Sequence, residues 1–253
     1  MSKTIFLHPL NAGGSVEHYF HFLFGYLIPF LHNVPPHDGN RYLFRDCGPS
    51  LNPILLSLPG YETALRGDES PDYAVGFAGF DTSEFSGLDL RSTRESLMGL
   101  FRAKTHPTKE VLVIDRGEAD PFYESLAEIP TSGRSKRSVP NMGEVFNSIR
   151  EAMPARLVYL EGVPIKDQIE LFASHKAFVM QHGAAMANLL FAPRGSAVLE
   201  IRDEGTEDFY AKMTASLGLL HSTVRQDHLH AAVDPPEIVR GLRRLTRTSI
   251  AIL

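Results

Sequence analysis

Apolar residues in the second half of the chain fall in short continuous runs, and amphipathic stretches lie between them. Val111-Leu112-Val113-Ile114, Leu157-Val158-Tyr159-Leu160, Ala177-Phe178-Val179-Met180 and Ala197-Val198-Leu199-Glu200-Ile201 read as strands. Asn141 is placed to cap a helix whose residues Met142, Val145, Phe146 and Ile149 recur at helical spacing. Ile165, Ile169 and Phe172 make a second helical stripe, and Phe209 to Leu217 a third helix. His221 to Val224 reads as a last strand. Pro235-Pro236 starts a terminal helix over Glu237 to Thr248, with Ile238, Leu242 and Leu245 on one face. Strands that alternate with helices predict an α/β fold with a parallel, doubly wound sheet.

The first half is less regular. Thr4 to Leu7 predicts a strand, Val16 to Leu31 a helix, Arg41 to Phe44 a strand and Arg91 to Phe101 a helix. From Gly48 to Gly87, prolines, glycines and charges interrupt any period. Thr131 to Ser138 is polar and basic and reads as a loop. A boundary near His106-Pro107-Thr108 divides the chain into an N-terminal domain, 1–107, and a ligand-binding domain, 108–234. The terminal segment, 235–253, is expected to pack back toward the N-terminal half.

The most informative segment runs from Gln181 to Ile201. An apolar run stops at Gln181-His182, and Gly183-Ala184-Ala185 follow before a helical stretch, a Pro193-Arg194-Gly195 turn and a second apolar run. Small residues at a strand-to-helix turn admit a ligand close to the backbone, and free N–H groups there favour an anion. Gly183 and Ala184 would give that close approach, at the carboxyl ends of parallel strands. His182 either contacts the ligand or caps its strand. Asn188 bonds either the loop backbone or the ligand. Arg116 follows the Val111–Ile114 run directly, where a guanidinium can grip a diphosphate with two hydrogen bonds; the alternative is a surface arginine.

Composition narrows the class. A net charge of −5 leaves no basic footprint for nucleic acid. One cysteine, Cys47, excludes an internal disulfide framework and suits a reducing compartment. Tyr19 to Leu31 is the most apolar segment, but it falls short of the ~20 residues that span a bilayer. No basic, apolar and cleavable leader pattern opens the chain, so a cytoplasmic setting and no transmembrane segment are expected. No Asp-x-Asp pair follows a strand and no His/Asp/Glu set has metal-ligand spacing, which predicts chemistry without a metal or other cofactor. The absence of Gly-x-Gly-x-x-Gly after the first strand argues against a Rossmann oxidoreductase.

The Gln181–Ile201 segment resembles the His-Gly-Ala…Asn-Leu-(Leu/Ile)-Phe…Pro-x-Gly…Leu-Glu signature of glycosyltransferase family 61. That family includes plant cell-wall xylosyltransferases and O-GlcNAc transferases of the animal secretory pathway. Gln168 and the Arg137-Ser138-Val139-Pro140-Asn141 run also fit its pattern. The likeness is dense from about Val111 to Leu220 and returns once near His18-Tyr19-Phe20-His21. It resembles the short bacterial or viral members more than the membrane-anchored ones.

The resemblance implies a GT-B-like fold, two Rossmann-like halves facing a cleft, with the N-terminal half compact. It implies transfer of a monosaccharide from a nucleoside diphosphate sugar, a uridine diphosphate sugar being expected, to a hydroxyl of a glycan, lipid-linked glycan or protein, with inversion. Arg116 matches a basic family position, and Arg137 would be a second phosphate contact. Glu200, in the Leu-Glu pair, would accept from ribose hydroxyls or anchor a helix start, and Gln168 would tie a helix to a loop. Near the N-terminus the family helix reads Asn-x-x-His-x-x-x-Asp. Here His21 fits the histidine, but His18 stands at the asparagine and Gly25 at the aspartate. His21 then becomes the expected general base, with Glu17, His18 and Asp46 behind it. Gly25 also keeps open a second class, a nucleotide-sugar-binding module without turnover.

Overall fold

The computed structural model describes residues 2–8, 16–77, 89–118, 133–206 and 208–252, with the backbone alone for 249–252. The chain forms two compact units, Met1–Arg102 and Ala103–Leu253.

The first unit holds four parallel strands: β1 (Thr4–His8), β2 (Arg41–Phe44), β3 (Glu62–Leu65) and β4 (Tyr73–Gly76), in the order β3-β2-β1-β4. That order reverses direction at β1, as in one half of a doubly wound sheet. Helix α1 is continuous but not uniform: Tyr19–Phe22 is α-helical, Leu23–Leu27 winds as a π-helix, and Ile28–Asn33 is α-helical again. Its aromatic side carries the core, because Phe22, Phe24, Phe30 and, from β2, Phe44 are fully buried. Tyr26 donates to the Leu7 carbonyl at 2.9 Å and accepts from the Arg45 N–H at 3.0 Å, so one buried hydroxyl ties the helix to the ends of two strands.

The interrupted stretch after Gly48 contains more structure than its pattern predicts: a helix α2 (Asn52–Leu56), β3 and β4. Both strands lie at the edges of the sheet and stay largely exposed, so neither needs a buried apolar run. Residues 78–88 of that stretch lie outside the described residues. Helix α3 spans Leu90–Leu100, with Asp89 accepting from the Arg91 and Ser92 N–H groups at its start.

The second unit holds five parallel strands: β5 (Val111–Asp115), β6 (Ala155–Tyr159), β7 (Ala177–Gln181), β8 (Ala197–Asp203) and β9 (Leu220–Gln226). Their order is β6-β5-β7-β8-β9, so the winding direction switches between β5 and β7. The apolar runs become central strands because both of their faces are covered. Val111, Val113, Val179, Leu199 and Ile201 pack on helices α5 (Met142–Ala152) and α8 (Pro235–Ile252) through Val145, Ile149, Ile238 and Leu242. On the opposite face, Phe178 stacks on Phe172 of helix α6 (Ile165–Ser174), with ring centroids 5.3 Å apart. The terminal helix, expected to return to the N-terminal half, buries its apolar face in its own unit.

Two local expectations change. Asn141 precedes α5 but makes no capping bond. Its amide pairs instead with the Val233 backbone, donating at 2.8 Å and accepting at 3.1 Å, and so moors the approach to α8. The expected loop Thr131 to Ser138 contains one helical turn, α4 (Gly133–Lys136), while residues 131–132 lie outside the described residues.

Candidate active site

Ligands of doubly wound sheets collect at the carboxyl ends of the strands, beside the point where the winding reverses. In the second unit that point is flanked by Asp115 at the end of β5 with Arg116-Gly117 after it, and by His182-Gly183-Ala184 after β7.

Two guanidinium groups converge there on one carbonyl. Arg116 Nη2 donates to the His182 oxygen at 2.7 Å, and Arg137 Nη1 donates to the same oxygen at 3.1 Å. Each retains a buried Nε–H without a partner. Burial, and then the charge of Arg137, pull the Arg116 guanidinium down to about 10, which leaves it cationic at neutral pH. Lys136 is lowered for the same reasons, burial first and then Arg137 and Arg116. Two like charges sharing a neutral acceptor, with donors unspent, are the electrostatic signature of a site that takes an anion.

Gly183 is what lets this arrangement close. Its φ is 153°, and a Cβ built there would lie 1.7 Å from Arg116 Nη2. Ala184 and Ala185 stay partly exposed at the start of a 3-10 helix, Ala184–Phe191. The loop after β5 is held by its own contacts: Asp115 accepts from the Arg116 N–H at 2.8 Å, and Arg134 Nε donates to the Arg116 carbonyl at 3.1 Å. A buried amide pair supports Arg137. Gln181 donates to Gln226 Oε1 at 2.8 Å, and Gln226 donates to the Ser138 carbonyl at 2.7 Å.

His182 is tied to Glu200. Its Nδ1 lies 2.5 Å from Glu200 Oε1, and its ring meets Tyr210 edge-on at 4.9 Å between centroids. Glu200 is almost wholly buried. Burial alone would raise its carboxyl, but hydrogen bonds and charges from His182 and His221 outweigh it and hold the group at about 2. A carboxylate only accepts, so His182 carries its proton on Nδ1 and keeps Nε2 for another partner. Glu200 thereby orients an imidazole.

Asn188 points inward. It is fully buried and donates to Gln168 Oε1 at 2.9 Å, while Gln168 donates to the Val163 carbonyl at 2.8 Å. The pair braces helix α6 against the 3-10 helix, and Gln168 ties helix to loop as expected. Three residues without a sequence assignment join the site: Tyr210 and Thr214 on helix α7 (Phe209–Ser216), and His221 on β9.

In the first unit, His21 is half-buried on α1, edge-on to His18 at 6.5 Å and to Phe20 at 5.5 Å. Gly25 falls within the π-helical turn. Glu17 is buried and ion-paired with Arg45, which removes it as an open base. Asp46 accepts from Asn52 and from the Gly48 N–H, and these bonds hold its carboxyl below the usual range, so it is a turn anchor and not a proton acceptor.

No curated protein matches the chain. The family model described as glycosyltransferase 61 matches residues 19–199, more than half of the chain and a span that includes His21, Arg116, Arg137, His182, Gly183 and Asn188. The chain belongs to glycosyltransferase family 61.

Proposed function

We propose that the chain transfers a monosaccharide from a nucleoside diphosphate sugar, with uridine diphosphate as the leaving group, to a hydroxyl acceptor with inversion and without a metal. The observation that carries this reading is the convergence of Arg116 and Arg137 beside Gly183 at the switch point of the second sheet. Two units, each with a parallel sheet, are what the GT-B fold implied by the family resemblance is built from. In the reaction the acceptor oxygen attacks the anomeric carbon, its proton passes to a base, and the bond from that carbon to the diphosphate breaks. The two arginines offset the charge that develops on the departing diphosphate. His182 Nε2 is available to a sugar hydroxyl or a phosphate oxygen.

A thermal-shift panel of nucleoside diphosphates and their sugars tests the donor, because a ligand that binds only the folded state raises the melting temperature. Uridine diphosphate is expected to give the largest shift; no shift from any nucleotide would end the reading. Arg116→Ala should weaken uridine diphosphate by about 1.5–3 kcal/mol, the range for a charge-assisted hydrogen bond. Unchanged affinity by calorimetry would take Arg116 out of the site.

Turnover should survive excess chelator, since the two arginines that meet on the His182 carbonyl would take the place of a cation on the diphosphate. Loss of activity restored by manganese or magnesium would overturn that part. The second reading, a binding module without turnover, rests on Gly25 at the family's acidic position. Slow hydrolysis of a bound donor separates the two, because only a transferase leaks sugar to water.

A further inference from the structure

Behind His182 runs a chain of polar side chains that the transfer reaction does not itself require. Glu200 on β8 faces His182 with one oxygen and His221 with the other, whose Nε2 lies 3.0 Å from Oε2. That second approach is off-axis, and neither atom has an aligned hydrogen-bond partner. On its far side His221 Nδ1 lies 2.9 Å from Thr214 Oγ1. The Thr214 hydroxyl also lies 2.8 Å from the Tyr210 carbonyl and 2.9 Å from that of Ala211. Glu200 and Thr214 are buried, and the ring of Tyr210 covers His182. β7, β8 and β9 are consecutive neighbours, so the chain runs from just past the carboxyl end of β7, through the middle of β8, to the amino end of β9.

Proton counting fixes the direction of this chain. Glu200, held ionised by both imidazoles, only accepts. His182 must present Nδ1–H to one oxygen, and His221 must present Nε2–H to the other. A neutral His221 then has a bare Nδ1, which needs a donor. The Thr214 hydroxyl has one proton and three acceptors in reach. Aimed at a backbone carbonyl, it would leave His221 either cationic or with a bare nitrogen against the carboxylate. Aimed at Nδ1, it leaves every group neutral except Glu200.

We infer that Thr214 and His221 are positioning residues, a tautomer lock that acts through Glu200 to hold the His182 ring with its Nε2 turned to the donor. The inference rests on the reading of this site as the donor site, and it adds two residues to it. Glu200 is held by its hydrogen bond with His182 and by the close, off-axis contact with His221, and loss of His221 frees the carboxylate to rotate. His182 then loses its fixed tautomer, although nothing touching the ligand has changed.

Histidine 15N spectra of the ligand-free chain test the lock, beside uridine diphosphate titrations of the same samples. In the wild type, His182 should report a protonated Nδ1, and His221 a protonated Nε2 with a bare Nδ1. His221→Leu should give a tautomer mixture at His182 and about tenfold weaker uridine diphosphate. His221→Gln retains an N–H donor for Glu200 and should restore both readouts, with affinity within about threefold of wild type. Thr214→Val should mix the tautomers of His221, and Thr214→Ser should restore them. A His182 signal unchanged in His221→Leu, or a Gln variant no better than Leu, would overturn the inference. If the Leu variant does not fold, the Thr214→Val and Thr214→Ser spectra decide. Failure of the wild type to bind uridine diphosphate counts against the donor reading alone, because the tautomer spectra need no ligand.

Discussion

Gly183→Ala should remove the diphosphate site while the fold survives. The added Cβ would lie 1.7 Å from Arg116 Nη2, far inside contact distance, so the guanidinium must leave its place on the His182 carbonyl. The backbone strain at φ 153° adds a cost of about 1–3 kcal/mol on its own. Nothing in the C-terminal core depends on this loop, because that core lies between the sheet and helices α5 and α8. The variant is therefore expected to melt cooperatively, a few degrees lower, and to bind uridine diphosphate at least a hundredfold more weakly, a loss of about 2.7 kcal/mol. A double variant makes the argument sharper. Arg116→Ala vacates the space that the new methyl needs, so adding Gly183→Ala to it should cost much less than the two single effects combined. Full additivity would show that the glycine and the arginine act separately. Affinity within threefold of wild type in Gly183→Ala alone would remove this loop from the donor site.

How far these features were legible in advance follows from where each is encoded. β5, β7 and β8 announce themselves because a strand covered on both faces needs an uninterrupted apolar run, and Val111–Ile114, Ala177–Met180 and Ala197–Ile201 supply it. β3 and β4 are edge strands with half-exposed faces, and Glu62–Leu65 and Tyr73–Gly76 carry no such pattern. Arg116 and His182 were visible because each stands directly after a readable strand. Glu200 was visible as a residue but not in its role, since its partners lie 18 and 21 positions away and meet only through the strand order. His221 and Thr214 escaped because their single hydrogen bond joins a helix to the next strand, with no periodicity to betray it. The bond from Asn188 to Gln168 is hidden in the sequence for the opposite reason. Asn188 lies in a recognisable motif, but a 3-10 helix of about three residues per turn points it into the interior toward Gln168.

His21→Ala should abolish transfer while uridine diphosphate binding stays within about threefold, roughly 0.65 kcal/mol. The resembling enzymes carry an aspartate where this chain has Gly25, and glycine cannot take a proton. A plain α-helix would place His21 one turn before that position, on the same face. The π-helical turn over Leu23–Leu27 changes the phase, since its i→i+5 bonds take about one extra residue per turn, and the position above His21 shifts from Gly25 toward Tyr26. Tyr26 cannot serve: its hydroxyl is spent on the Leu7 carbonyl and the Arg45 N–H, and burial raises it far above the working range. Glu17 is buried against Arg45, and Asp46 is held ionised as a turn anchor. His21 remains a half-exposed imidazole on this helix, and an imidazole is the side chain suited to proton abstraction near neutral pH. Gly25→Asp should fold, because the position is partly exposed, and if His21 is the base it should not restore transfer to His21→Ala. Full turnover in His21→Ala would instead move the base to His18, its ring neighbour, and a wild-type chain that binds donor yet neither transfers nor hydrolyses it would establish the binding module in place of the enzyme.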